Sequence, residues 1–447
     1  MRVAIVGAGW AGLAAASFCH RAGHHATLIE ASRQVGGRAR GVQDPRLGAI
    51  DNGQHILLGA YEQTLNLMRQ DLGDERLDLI FDRQPLALAS ADGYFEIKAK
   101  TGLPAAFGHL VGFLTAKGLR GSDKWRILQF LWRLKRQANR PQQGWTVSQW
   151  LKNQGQPQQA CRWLWHPLCL ATLNTNPQQA CANLFATVLS RSLLNPQAGA
   201  TDLLLPATDL SKLWPDHVVN QVPCQFGHRV QHITATEDSV QIDGQTFDAC
   251  ILAVAPHSLN KLLESHRDMK ALCQQLSGFS YNPITTCYVA LCEPYQLPAP
   301  MLMLDHGESE TSLGHWVFDR RAILRDSQHT QADLAFVISD SSAVLGLEDH
   351  QLARDLVDQL TRALRSSAQI EISATRCIHE KRATFAATVG LQRPGYRLPW
   401  PRVALAGDWT DTGLPAVIEG AVQSGLQAAQ YILGRYAPSL KANDNNV

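Results

Sequence analysis

Apolar positions along the chain change their period in a definite order. Arg2–Val6 is a short, almost continuous apolar run that predicts a buried strand. Leu13–Arg21 carries apolar residues at helical spacing and is closed by Gly23, and His25–Glu30 is strand-like again. With the glycine-rich turn Gly7–Gly12 between them, these pieces form one βαβ unit of about 30 residues. A helix is expected around 61–73. From about 75 to 200 the strand-like pieces Leu86–Ala89 and Tyr94–Ile97 give way to a helical region rich in Trp, Gln and Arg. Pro141, Gly144, Pro157 and Pro167 punctuate that region, which reads as an insertion. Alternation returns after Gly227 in Arg229–Thr234, Ser239–Ile242 and Phe247–Val254, with Gly244 as a tight-turn residue between the last two. Further strands are expected near Thr285–Leu291, His315–Phe318 and Leu334–Ile338. An amphipathic helix follows over Gln351–Leu364, then a strand at Val403–Ala406 and a helix at Ala416–Leu433. The polar tail Lys441–Val447 predicts disorder.

Composition narrows the function classes. The 447 residues are enough for two or three domains, and 45% of them are hydrophobic. Basic and acidic residues number 41 and 39, a balance that offers no electrostatic footprint for nucleic acid. Ten cysteines lie scattered with no CxxC pair and no zinc-type spacing, so they read as reduced thiols of a cytoplasmic protein, and no metal is expected. The apolar N-terminus could pass for a signal peptide, but the spacing of its three glycines serves another purpose. No apolar stretch reaches the ~18 residues of a membrane span.

Gly7-Ala8-Gly9-Trp10-Ala11-Gly12 fits the G-x-G-x-x-G pattern of a dinucleotide site. Gly7 permits the tight turn, Gly9 lets backbone approach a pyrophosphate, and Gly12 lets helix and strand pack closely. Trp10 and Ala11 open the helix, whose free N–H groups favour phosphate. Glu30 ends the second strand about 20 residues further on, where an acceptor for ribose hydroxyls is expected. Gly36-Gly37-Arg38 then supplies a second glycine pair and a guanidinium.

These residues resemble the FAD-binding signature of the flavin amine oxidase and phytoene desaturase superfamily, whose FAD domain is assembled from three chain segments. The resemblance implies that Val230, in the middle segment Gly227–Ile233, presents backbone to the adenine end. It implies that Asp408 of the Gly407-Asp408 pair holds the ribityl or pyrophosphate part. Pro415, Ala416 and Val417 would lie along the isoalloxazine. The implied fold class is α/β: a discontinuous Rossmann-like FAD-binding domain (1–75, 201–265 and 395–447) with an inserted α+β substrate-binding domain (76–200 and 266–394). No cysteine sits in the third segment, so non-covalent FAD is expected.

Within the superfamily, Asp51-Asn52-Gly53-Gln54-His55, His315-Trp316-Val317-Phe318-Asp319-Arg320, Glu380–Phe385 and Ala406–Pro415 resemble the bacterial hydroxysqualene dehydroxylases. His315 departs from that family's pattern, which has glutamine there. The resemblance implies removal of the hydroxyl of a long isoprenoid, early in hopanoid synthesis, with an external electron donor. Desaturation of a carotenoid-like polyene and amine oxidation are the alternative flavin chemistries, and a prenyl-lipid carrier without flavin is the non-enzymatic one. Asp51, His55 and Asp319 are the candidate proton donors, each with a structural alternative as a cap or core residue. Trp316 and Phe318 alternate on a strand and are candidates for the pocket wall.

A greasy substrate directs attention to 103–140, a helical part with a membrane-contacting pattern. Lys117–Arg140 carries eight basic residues against the single acid Asp123. Ile127, Leu128, Leu131 and Leu134 share one helical face, with Arg126, Arg133, Arg136 and Arg140 opposite and Trp125 and Trp132 at the boundary. An interfacial helix on an anionic bilayer has this pattern, and so does an ordinary core helix. Contact with the inner face of the cytoplasmic membrane is the expectation.

Overall fold

The computed structural model describes residues 1–100, 105–304, 313–325, 331–365 and 370–436. The tail 441–447 and the first residues of 103–140 lie outside them. Five parallel strands form the nucleotide-type sheet, in the order Cys224–Phe226, His25–Glu30, Arg2–Val6, Ala249–Leu252, Val403–Leu405. Strands distant in sequence become neighbours: Val3–Val6 pairs with Ala249–Leu252, and Cys250–Leu252 with Val403–Leu405. Val3–Val6 and Ala249–Leu252, at the centre of the sheet, are apolar and buried because both faces are covered. One face carries the helices Trp10–Arg21 and Ile418–Tyr436. Those two helices approach backbone to backbone: a Cβ placed on Gly425 would stand 2.1 Å from the carbonyl oxygen of Ala11.

The second sheet is antiparallel, in the order Met301–Met303, Trp316–Asp319, Leu334–Ser339, Tyr281–Leu291, Ile372–Phe385. Its alternation sorts side chains strictly. Cys287, Val289, Val317 and Phe336 face the amphipathic helix Asp349–Leu364. Tyr288, Ala290, Met301, Met303, Trp316 and Phe318 face inward, joining one apolar cluster with Val6, Leu252 and Leu405 of the parallel sheet.

Several expected elements shift. The apolar run Phe247–Val254 is two strands, an antiparallel Gln245–Phe247 and the parallel Ala249–Leu252, because the chain changes sheets at Asp248. Arg229–Gln231 is not strand, and the ladder begins only at Ile233. The strand Ile372–Phe385, whose polar residues obscure any simple alternation, was not anticipated as an element.

The basic helix spans Gly121–Lys135. Its apolar stripe is a core stripe: Ile127, Phe130 and Leu134 are buried, and the Phe130 ring lies 4.9 Å from that of Trp150 and 5.3 Å from that of Trp165. The expectation that this stripe meets lipid is therefore corrected. Trp125 and Trp132, expected only at its boundary, stand 62% and 56% exposed. Among the described residues no helix is long and apolar enough to cross a membrane.

Candidate functional site

The helix Trp10–Arg21 begins at Gly9 with no side-chain cap, so its first-turn N–H groups stay open above the parallel sheet. Gly7 holds φ +104°, and a Cβ there would stand 2.6 Å from the Ala253 carbonyl oxygen. Gly12 is tighter still, its notional Cβ 1.9 Å from the Gly7 carbonyl oxygen. Gly36, at φ +93°, donates its N–H to the Ala8 carbonyl at 2.8 Å and lays the second glycine pair beside the first. A Cβ on Gly37 would come 3.1 Å from Cα of Gly9. Trp10 would contribute backbone only, because its indole is buried against Trp214 and donates to the Ala39 carbonyl.

Glu30 is fixed at the end of its strand by the N–H groups of Ala8 (2.7 Å) and Ser32 (2.8 Å), which leave carboxylate lone pairs for ribose hydroxyls. Val230 lies outside any strand, and among the described residues neither its N–H nor its C=O is engaged. Arg38 joins first and third segments: its guanidinium donates to the Asp408 carboxylate at 2.5 Å and to the Ala383 carbonyl. The Gly407 N–H donates to the Ser424 hydroxyl at 2.8 Å, holding the Gly-Asp turn on the last helix. Pro415 is buried and Ala416 and Val417 are half-buried just before that helix begins at Ile418.

These residues fit FAD on two independent counts. A Cβ on Gly9 would meet nothing nearer than Cα of Gly37 at 4.0 Å, so the backbone there stays open to a phosphate, and a buried donor, Nε of Arg40, has no partner among the described residues. Arg38, Asp408 and the open helix terminus would hold the cofactor's polar parts, with Val230 offering backbone at the adenine end.

Beside this cradle the loop after Asp51 rests on the inner face of the antiparallel sheet. The Gln54 N–H donates to the Thr286 hydroxyl at 3.3 Å. Asp51 is buried. It accepts from the Leu210 N–H at 2.8 Å and lies 3.8 Å from a guanidinium nitrogen of Arg320. Burial pushes its carboxyl up to about 7, against the lowering effects of Arg320 and the Leu210 bond. Arg320, itself buried, also donates to the Gln54 side chain and the Ala49 carbonyl, and stacks 5.0 Å from the ring of Tyr288. The Tyr288 phenol and Arg320 Nε are buried without hydrogen-bond partners among the described residues.

The ring of His55 is held by the Gly53 carbonyl, 2.7 Å from Nδ1. Burial lowers its pKa, and the nearby Arg38 charge adds to that. Asp319 is placed differently. Its two oxygens accept the N–H groups of Leu297 and Ala322, both at 3.0 Å, capping the turn Arg320–Ile323. Trp316 and Phe318 share the buried inner face. Arg320 and Tyr288 were missed as site residues. The signal available for both was position: Arg320 closes the motif that contains Asp319, and Tyr288 alternates with Thr286 on an expected strand.

The sequence matches the family described as flavin containing amine oxidoreductase over residues 10–433. It is 28% identical over 457 residues to a hydroxysqualene dehydroxylase of Rhodopseudomonas palustris, covering 96% of this chain and 98% of the relative. A zeta-carotene desaturase of Synechocystis is 23% identical, with 98% of each chain covered. The cyclohexylamine oxidase of Brevibacterium oxydans shares the fold at 17% identity and a TM-score of 0.68, covering 97% of this chain and 98% of that one. An oxidoreductase of Methanosarcina mazei does so at 13% and 0.70, covering 96% and 100%. With three chain segments converging on a dinucleotide cradle and a family match over nearly its whole length, the chain belongs to the flavin-containing amine oxidoreductases and is an FAD-dependent oxidoreductase.

Proposed function

We propose that this enzyme removes the hydroxyl of hydroxysqualene to give squalene. The observation that carries the reading is the buried carboxyl of Asp51, set against the apolar inner face of the sheet with its pKa raised to about 7. Near-full-length likeness to hydroxysqualene dehydroxylases supports the choice of substrate. In net terms the C–O bond breaks and a C–H bond forms: the substrate takes up one proton and one hydride and releases water. Bound reduced FAD supplies the hydride.

The chain's residues supply the rest. A carboxyl poised near neutrality keeps a proton for the leaving hydroxyl, and its conjugate base is then stabilised by Arg320. His55, kept neutral with Nδ1–H on the Gly53 carbonyl, has Nε2 available to accept a hydrogen bond from the substrate hydroxyl and orient it. Asp319 is committed to its cap and takes no part. Trp316 and Phe318 contribute to the apolar surroundings that would keep water from the allylic cation left by the departing hydroxyl. FAD is bound non-covalently by 1–75, 201–265 and 395–447, while 76–200 and 266–394 bind the isoprenoid. The enzyme works at the inner face of the cytoplasmic membrane, where such a substrate resides.

The same apolar face suits a polyene, and likeness to the Synechocystis zeta-carotene desaturase favours desaturation as the second reading. The two differ in electron flow. Product analysis with reduced FAD and hydroxysqualene should yield squalene. A dehydrogenated product from a more saturated polyene under oxidising conditions, with no squalene under reducing ones, would overturn the first reading.

A further inference from the structure

Five exposed large apolar side chains gather in one stretch of the chain: Tyr94, Leu110, Leu114, Trp125 and Trp132. The segments carrying them are tied together. Lys124 donates to the Leu114 carbonyl at 2.7 Å, and the turn at Gly118 lies so close to Tyr94 that a Cβ would stand 2.8 Å from its carbonyl oxygen. Trp125 and Trp132 lie two turns apart on one side of the helix Gly121–Lys135. Neither can be accommodated inside, because the opposite side of that helix is already filled by Ile127, Phe130 and Leu134. Around the indoles stand exposed Arg126, Arg133, Lys135 and Arg136, and the Arg136 guanidinium sits 4.5 Å from the Trp132 ring. Among the described residues none of these four cations has a carboxylate partner.

An apolar patch ringed by unpaired cations is complementary to one surface above others. Indoles sit at the headgroup level of a bilayer, and Lys and Arg beside them meet lipid phosphates. We propose that this face, centred on Trp125 and Trp132 and not on the apolar stripe of the helix, docks the enzyme on an anionic lipid bilayer. The isoprenoid then enters from the bilayer, a clause that rests on the dehydroxylation reading. The docking itself does not.

The test is sedimentation of the flavin-loaded full chain with phosphatidylcholine vesicles, with and without phosphatidylglycerol. Binding is expected only with the anionic lipid, weakened about tenfold or more by Trp125→Ala with Trp132→Ala, and by Arg126→Glu with Arg133→Glu and Arg136→Glu. Flavin content and melting temperature should be unchanged in the tryptophan variant, as should turnover of detergent-dispersed hydroxysqualene. Equal sedimentation of wild type and both variants overturns the proposal, as does failure of the wild type to bind anionic vesicles. Squalene formation without vesicle binding would overturn docking alone. Vesicle binding that depends on the two tryptophans, without squalene formation, would uphold docking while the dehydroxylation reading fell.

Discussion

At single residues, what matters is where protons and charges are held. Asp51 has a folded-state pKa near 7, above the ordinary carboxyl range of about 4. The fold therefore binds a proton that the unfolded chain gives up between those values. The stability Asp51 confers is present in acid and lost as pH rises from about 4 to about 7. Chemical denaturation should show the wild type losing stability relative to Asp51→Asn across that window, and a flat difference would contradict the assignment. Dehydroxylation should slow as pH rises through about 7, and Asp51→Asn should be slow throughout, by roughly 100-fold or more for a lost general acid.

Arg38 carries a different prediction. Its bond to Asp408 links two of the segments proposed to bind flavin, so Arg38→Ala should weaken FAD retention by about 1–2 kcal/mol, at the low end for a charged hydrogen bond because the guanidinium is 40% exposed. Flavin-to-protein ratios after dilution and filtration measure this. Acid precipitation should release all flavin from the wild type, since no cysteine lies within 395–447 to tether it.

At the scale of elements, the two sides of the basic helix make opposite demands. Ile127→Ala opens a hole in the core and should cost about 2–4 kcal/mol. Trp125→Ala touches only surface and should change stability by about 0.5 kcal/mol or less. Denaturant midpoints of the two variants decide the matter, and equal costs would mean the helix is turned otherwise. Gly425→Ala sets a Cβ against the Ala11 carbonyl and should destabilise by about 1–3 kcal/mol through overpacking of the two flavin-domain helices. Elements like these differ in how plainly the sequence shows them. The βαβ unit is legible because Gly7, Gly9 and Gly12 carry a spacing that only a tight turn into a helix needs. The basic helix is legible as a helix but not in orientation, since periodicity marks an apolar stripe without saying what covers it. The run Phe247–Val254 hides a change of sheet, because a turn at one polar residue leaves no break in hydrophobicity.

At the scale of the whole molecule, function arises where two sheets share one apolar interior. The three separated motifs were readable in the sequence, and the strands beside them do join one parallel sheet. The proposed acid site was only half readable. Asp51 and His55 stood out by motif, whereas Tyr288 and Arg320 are brought to Asp51 by long-range packing that no local pattern records. Asp319, equally prominent in sequence, has both oxygens engaged by the N–H groups of Leu297 and Ala322. The most direct test of the central claim is a single turnover without oxygen: the enzyme, its FAD reduced beforehand, is mixed with hydroxysqualene while the flavin spectrum and product are followed together. Flavin reoxidation is expected, with one squalene formed per flavin, at a rate that falls above pH about 7. Reduced flavin that persists unchanged in the presence of hydroxysqualene, with no squalene formed, would contradict it.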